Sequence, residues 1–573
     1  MKSILATECG STTTTAALIE QTNGEYRLRA TGQTPSTYGP PWYDITIGVR
    51  QAIRHIEKSV ERTILTSGGW PITPQNQVNQ GVDGFTVVCS AASPLRLLIA
   101  GLMKDISLAS AQQAAATTYS HITRLISLDA SDGGQHSHEA RIQAIKENRP
   151  DVILLVGGID GGAEQPVLEM ARIISMGLQI GGGTPPAILY AGNNALRTPM
   201  ADILGPIAAL TSVNNVRPTL DVEDISAAQA ELEKLYVQKK LMQLPGFDKL
   251  NNWSTKFPVI PASRSFGQLI NFLSTHHDLN AVGVNIGSRS TTIATKTPET
   301  SAQLFIRSDA GVGHSLSDLL EVVPIEKIHR WLPFEIGKHE LFNRLLNKSL
   351  YPTSLPTSVE DLLIEHAVAR EAIRLVANQA QPQRPHPQWN LVVGTGRSLT
   401  GNPHAAQAAL LLIDGLEPWG VTSLALDRNG LVDMLGAVAV VDPVAAVQAT
   451  LHDAFLNLGT VIAPWGHGLT GQIAVRVKVT YDNNEIYEAE VAYNTLELIA
   501  LPPGQKATIE IRPRSQFSIV PGPRGRAAKT EVEGGLLGII VDARGRPLEF
   551  PTDDEQRHEQ LHTWLDNLNL LGD

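Results

Sequence analysis

The segment Leu5-Ala-Thr-Glu-Cys-Gly-Ser-Thr-Thr-Thr-Thr-Ala-Ala-Leu-Ile19 returns as Val282-Gly-Val-Asn-Ile-Gly-Ser-Arg-Ser-Thr-Thr-Ile-Ala-Thr295, at a constant offset of 277 residues. Gly10, Ser11, Thr14 and Thr15 fall on Gly287, Ser288, Thr291 and Thr292, while Glu8 falls on Asn285. Each copy reads as strand, tight Gly-Ser turn, strand. Two such segments can coincide by chance in a long chain, but matching positions favour duplication of a whole lobe. A chain built this way folds around two related sheets.

At 573 residues the chain has room for three to four domains of roughly 150 residues each. Hydrophobic residues at 42% and charged residues at 18% exclude global disorder. The net charge of -11 removes the electrostatic case for nucleic acid or an anionic bilayer as partner. Two cysteines, Cys9 and Cys89, make no disulfide framework and no Cys-based metal spacing, which points to a reducing cytoplasm. The start MKSILATECGS lacks the apolar core of a secretory signal, and no window reaches the roughly eighteen apolar residues of a membrane span. A soluble, cytoplasmic protein is expected.

Between the repeats the pattern alternates between strands and helices. An apolar strand over 152–156 runs through a glycine loop into a helix over 164–176, preceded by a helix over 138–147 that ends before Pro150. Residues 219–242 read as a polar helix laced with Glu and Lys. Gln379 to Pro387 reads as a Pro-rich loop leading into an apolar strand over 390–393. From Ile473 the period shortens to two in IAVRVKVTY, EIYEAEVAY and ATIEIRP, the mark of a β-rich region that ends in a helix over 553–570. The expected division is a first lobe with insertions over 1–254, a second lobe over 255–445, and a C-terminal β-rich domain over 446–573.

Four segments carry chemistry. A strand entering Gly-Ser-Thr suits phosphate, because glycine brings backbone N–H groups close and short hydroxyls add donors. Two such hairpins facing each other can grip a polyphosphate. In Val156-Gly-Gly-Ile-Asp-Gly-Gly162, a glycine loop opens a helix, whose N-terminus attracts anions. There Asp160 either positions a hydrated Mg2+ or closes an Asx-type turn. Leu391-Val-Val-Gly-Thr-Gly-Arg-Ser398 is a second strand and glycine turn, able to lie against a base or ribose. Neither GxGxxG in a βαβ start nor GxxxxGK[ST] is present, which disfavours Rossmann and P-loop sites.

These residues resemble the actin, sugar kinase and heat-shock-protein-70 ATPase superfamily. More narrowly, ATECGSTTTTAALI, VVCSAASPLRLLIAGL, ILLVGGIDGGAE, ILYAGN, VNIGSRSTT, DAGVGHS and VVGTGRS look like the glutamate mutase accessory protein MutL family over roughly residues 1 to 445. The resemblance implies an α/β fold of two actin-like lobes, ribonuclease H-like and duplicated, with the β-rich domain appended. It implies ATP and Mg2+ as cofactors, and an ATP-hydrolysing reactivating chaperone whose partner is an adenosylcobalamin-dependent mutase. Carried over by position, Gly10, Ser11 and Thr12 would hold phosphates from the first lobe; the glycine-loop reading adds Gly157, Gly158 and Gly161. Gly287, Ser288 and Thr291 would do so from the second, with Gly394 and Gly396 beside the adenosine. Glu8, Asp160, Asn285 and Asp309 occupy the catalytic positions, and Glu8 with Asp160 the metal positions.

Two departures bear on activity. The superfamily usually has aspartate at the positions of Glu8 and Asn285, and this family often has a basic residue near Thr15. An amide neither takes a proton nor neutralises Mg2+, so the neutral Asn285 is expected to slow hydrolysis, and Asn285→Asp to raise it. A small-molecule kinase and a nucleotide-binding scaffold without turnover are the alternatives. His136 and His138 at the start of a helix, and His276-His277, read as solvated surface; Cys9 and Cys89 read as packing residues. The basic stretch holding Arg514, Arg524 and Arg526 reads as a solvated loop.

Overall fold

Small and β-branched residues fill Ser3–Cys9 and Thr13–Thr22, which pair as an antiparallel hairpin in the computed structural model describing residues 1–129, 137–255, 258–382 and 385–570. Glu25–Pro35 adds to its outer edge; on the other side Gly84–Cys89 and then Ile260–Pro261 follow in parallel. A second sheet repeats the plan. Thr291–Lys296 is antiparallel to Ala281–Ile286, which is followed in parallel by Leu391–Thr395 and Gly420–Leu426. The registers coincide at the repeat offset: Glu8 faces Thr15 and Cys9 faces Thr14, as Asn285 faces Thr292 and Ile286 faces Thr291. The duplication is one of sheet topology.

Helix Ile45–Val60 backs the first sheet through Ile45, Val49, Ala52, Ile53 and Ile56, spaced for one helical face, and its first turn is fixed by Asp44, whose carboxylate accepts the Thr46 N–H at 2.8 Å. Helices Ala262–His277 and Val432–Val441 cross and share one core with both sheets, through Ile4, Val88, Phe266, Ile270, Ala281 and Leu435. They cross at Gly436, where a Cβ would stand 2.1 Å from the Ser265 carbonyl oxygen. Gly436→Ala is therefore expected to force the helices apart and cost about 1–3 kcal/mol. Urea denaturation should show the lower midpoint at an unchanged slope.

The β-rich region from 473 makes a four-stranded antiparallel sheet of Ile473–Tyr481, Ile486–Ala492, Lys506–Pro513 and Ala528–Glu533. Its alternation buries Val475, Val477, Val479, Ile509 and Ile511 on one face. The expected break at 445 is bridged, because Leu456–Ala463, Ile539–Asp542 and Leu496–Ile499 extend the second sheet beyond Gly420–Leu426. Buried charges reinforce the join: Arg544 donates to Asp542 at 2.9 Å and to Asp414 at 2.7 Å, and Arg370 donates to Asp414 at 2.7 Å. The Arg544 and Arg546 guanidinium groups overcome burial and hold the Asp542 carboxyl well below the usual carboxylate range.

The chain divides into two compact units, one of 1–90, 249–304 and 309–573, the other of 91–248 with 305–308. The stretch 1–254, read as one lobe with insertions, thus holds a unit of its own. That second unit is a parallel sheet in the order Ser120–Ser127, Leu95–Gly101, Val152–Leu155, Ala187–Tyr190, Leu210–Ser212, around a core that includes Ile153, Leu155, Met170, Ile174 and Tyr190. Helices Gln165–Gly181 and His138–Asn148 fall where the pattern puts them, while the polar helix is shorter, Ser226–Lys239. Asp224 accepts from the Ser226 N–H and hydroxyl, ending the preceding loop there. No helix among the described residues is long and apolar enough to cross a membrane.

Candidate functional site

The two Gly-Ser turns are built alike. Gly10 N–H donates to the Thr13 carbonyl at 2.9 Å, and Gly287 N–H to the Ser290 carbonyl at 2.8 Å. Glycine is required at the first: a Cβ on Gly10 would meet Thr13 O at 2.7 Å. Ser11 and Thr12 stand half-buried at the tip of the first turn, their hydroxyls without a partner among the described residues. In the second turn the expected phosphate hydroxyls are already engaged. Ser288 Oγ accepts from His314 N–H at 3.0 Å and shares a 2.7 Å bond with His314 Nδ1, while buried Thr291 donates to Ala310 O at 2.6 Å. Both hydroxyls brace the Ala310–Ser315 loop. Asp309 lies half-buried immediately before that loop.

Beneath the turns lies a group of carboxyls that sequence reasoning only half identified. Ser90 Oγ donates to Glu8 Oε1 at 3.1 Å, and Asn285 Nδ2 donates to both Asp433 oxygens, at 3.0 and 2.9 Å. Asp427, fully buried, accepts from Thr395 Oγ1 at 2.9 Å and from the Leu431 and Val432 N–H groups at 2.9 and 3.0 Å. It thereby caps the start of the Val432–Val441 helix that carries Asp433. Burial pushes the Glu8 carboxyl up to about 7, against the Ser90 hydrogen bond and helped by the charge of Asp427. Burial, then the charges of Glu8 and Asp427, raise Asp433 well above the carboxylate range. The carboxyl beside position 285 is that of Asp433, which the Asn285 amide holds. The available signal was an apolar strand ending on Asp427, with a second aspartate in the helix that follows its Asn-Gly turn.

The loop at 394–398 adjoins the second hairpin. Gly396 takes φ 95°, and a Cβ there would lie 2.2 Å from Ile286 O, so only glycine permits this approach. Gly394 answers to packing, where a Cβ would touch Leu399 and Leu412 at 3.0 Å. Ser398 lines a cavity of about 360 Å³ together with Val312, Leu316, Tyr351, Leu355 and Pro356. Arg344, Lys348, Asp361 and Glu365 line it as well, so the cavity is of mixed apolar and charged character.

Asp160 and the glycines at 157, 158 and 161 belong to the second unit. Asp160 Oδ1 accepts from Asn194 N–H at 2.9 Å and Asn215 Nδ2 at 3.0 Å, and Oδ2 from Asn194 Nδ2 at 2.7 Å. Burial raises its pKa, but these three donors outweigh it and hold the carboxyl below its ordinary value. The amides of Asp160, Gly161 and Gly162 bond to Pro218 O, Asn193 Oδ1 and Ile159 O. At Gly157 and Gly158 a Cβ would clash with Leu102 Cγ and Ala163 O, at 2.8 Å each. Packing thus accounts for these glycines, and internal hydrogen bonding for Asp160. Among the described residues no three His, Cys, Asp or Glu side chains converge to hold a metal by themselves. His136 lies outside the described residues; His138 is exposed and pairs with Glu169, and His276 and His277 are exposed. Cys9 and Cys89, in register on neighbouring strands, are both buried, and burial raises the Cys9 thiol.

Paired lobes of one topology, joined by crossing helices and presenting two like Gly-Ser turns above shared carboxyls, define the α/β fold of the actin-like ATPases, here with a β-rich C-terminal region. The chain belongs to the MutL protein family, whose model matches residues 4–453. Protein MutL of Clostridium tetanomorphum is 23% identical over 264 residues, 42% of this chain and 54% of that relative, so the match spans about half of the relative's length. Solved structures that match the chain include nucleotide-free acetone carboxylase, 11% identical over 85% of this chain and 80% of its own, at a TM-score of 0.31. Nucleotide-free diol dehydratase-reactivating factor is 10% identical over 79% and 99%, at 0.29. Xylulose kinase from Bifidobacterium adolescentis is 10% identical over 77% and 93%, at 0.28.

Proposed function

We propose that this protein binds ATP with Mg2+ between its two Gly-Ser hairpins, and serves as an ATP-driven accessory and reactivating factor for an adenosylcobalamin-dependent mutase. One observation carries the nucleotide half: the two turns share one construction, and Glu8, two residues before the first, feels the charge field of Asp433, which Asn285 holds two residues before the second. The partner half rests on membership of the MutL family.

The residues fit the nucleotide and its ion. Ser11 and Thr12 offer free hydroxyls to phosphate, and Gly10 and Gly287 leave room for close approach. The cavity beside Ser398 would take the nucleoside. Glu8 and Asp433 would face the ion through its waters, since Mg2+ keeps several and needs only one or two carboxylates beside substrate phosphates. Bound there, the ion would supply countercharge to the phosphates. Glu8, its carboxyl raised by burial, is poised to take a proton from an adjacent water. Nucleotide must favour one arrangement of the hairpins over another to act on a partner, because equal affinity for both shifts nothing. The glycine-tight helix crossing at Gly436 is the joint that would register the change.

Ser398→Trp is expected to fill the cavity and weaken ATP binding at least tenfold, by about 1.4 kcal/mol or more, while affinity for inorganic tripolyphosphate stays unchanged. For the whole reading, an inactivated mutase is incubated with the protein, Mg2+, free adenosylcobalamin and either ATP or a non-hydrolysable analogue. Recovery with ATP alone is the expected result. Recovery with both would favour the scaffold without turnover, and phosphorylation of an added small molecule would favour a kinase.

A further inference from the structure

We infer that Arg289, in the second Gly-Ser turn, is the cation that grips the polyphosphate, and that Tyr38 holds it in readiness until nucleotide arrives. This rests on the reading that the hairpins bind ATP. The first turn carries no basic residue, and the Ser288 and Thr291 hydroxyls of the second are engaged in the Ala310–Ser315 loop. Of the second turn's side chains, the Arg289 guanidinium is the one that brings positive charge to an anion. Arg289 occupies the position equivalent to Thr12 in the repeat.

Its surroundings are those of a charge awaiting a partner. Among the described residues no carboxylate lies within ion-pair distance of Arg289, and its buried Nε has no hydrogen-bond acceptor. One contact restrains it: an Nη donates to Tyr38 Oη at 3.2 Å, with Cζ 5.0 Å from the Tyr38 ring centroid. Tyr38 is tied to the first turn through Ser36: Tyr38 N–H donates to Ser36 Oγ at 3.4 Å, while Ser36 N–H donates to Thr12 O at 2.9 Å and Ser36 Oγ to Gly10 O at 2.7 Å. The Arg289–Tyr38 contact therefore links one turn to the other across the place where a triphosphate would lie. His314, beside Arg289, is kept neutral by burial and by that guanidinium, so it neither competes for the anion nor repels it. Carboxyls lie beneath the same space, and a tetra-anionic nucleotide entering it needs a fixed positive charge. A guanidinium with several unused N–H groups suits phosphate oxygens better than a phenol. Arg289 would exchange Tyr38 for phosphate, which makes Arg289 a binding residue and Tyr38 a positioning residue.

The test is calorimetric titration of the full chain and of Arg289→Gln, Arg289→Lys and Tyr38→Phe with Mg·ATP, AMP and inorganic tripolyphosphate. Arg289→Gln should lose about 10–100-fold in affinity for ATP and tripolyphosphate and none for AMP. Arg289→Lys should recover part of the loss. Tyr38→Phe should bind ATP as well as the wild type or up to a few-fold more tightly, since the phenol no longer competes, whereas a merely structural tyrosine would weaken all three ligands together. Arg289→Gln binding ATP like a wild type that itself binds ATP would overturn the inference alone. A wild type that binds tripolyphosphate through Arg289 but not ATP would uphold it and overturn the nucleotide reading. A wild type that binds neither would overturn both.

Discussion

Replacing Glu8 with Gln is expected to raise the melting temperature at pH 8 by a few degrees while abolishing Mg2+-dependent ATP hydrolysis. The Glu8 carboxyl is lifted by burial from an ordinary value near 4.5 to about 7. Between these two values the native state holds a proton that the unfolded chain has lost. It therefore binds more protons, and stability falls as pH rises through that window. Above pH 7 the ionised group carries the full penalty, at most about 3 kcal/mol and less if the site admits water. Gln keeps the shape and can still accept from the Ser90 hydroxyl, so the variant escapes the penalty at pH 8 and gains nothing near pH 4. Thermal melts at the two pH values, paired with phosphate release, check both halves. A variant less stable than wild type at pH 8 would mean that Glu8 is a structural residue.

Asn285→Asp is expected to behave in the opposite sense to the one its sequence position implies. Read against the repeat, an aspartate there restores the superfamily residue and raises turnover. In the structure the Asn285 amide is the donor to both oxygens of Asp433. An aspartate at 285 would set carboxyl against carboxyl, tolerable only while the pair shares a proton. The native pair would then keep a proton that the unfolded chain gives up, so stability should fall with rising pH. The variant is expected to be near wild type at about pH 6 and about 2–3 kcal/mol less stable at pH 8, partly restored by Mg2+. Denaturant titrations at both pH values, with and without the ion, measure this. Unchanged stability with faster hydrolysis would return the site to the simpler sequence reading.

What the sequence made legible was whatever repeats or alternates. The offset of 277 residues survives as matched strand registers and as the same N–H···O bond inside both turns, because a duplicated hairpin keeps its local chemistry. Period-two burial likewise marked the β-rich region. Partnerships across long sequence separations were not legible. Asp433 lies 148 residues from Asn285, and neither residue type announces the other. The glycine loop at 157–162 has the composition of an anion cradle, yet only coordinates reveal that its amides and Asp160 are engaged by Pro218, Asn193, Asn194 and Asn215. The break expected at 445 failed for the same reason: a change of pattern marks a change of sheet exposure, while strand order carried Leu456–Ala463 back onto the second sheet.

The most direct test is calorimetric titration of ATP near pH 7, with Mg2+ and with chelator, repeated in two buffers of different ionisation enthalpy. Nucleotide and ion settling above Glu8 and Asp433 should displace the protons those groups retain. Tight binding that requires Mg2+ and releases a measurable fraction of a proton per nucleotide is the result expected here. Equal affinity with chelator, or binding with no proton released, would contradict a nucleotide held over these carboxyls.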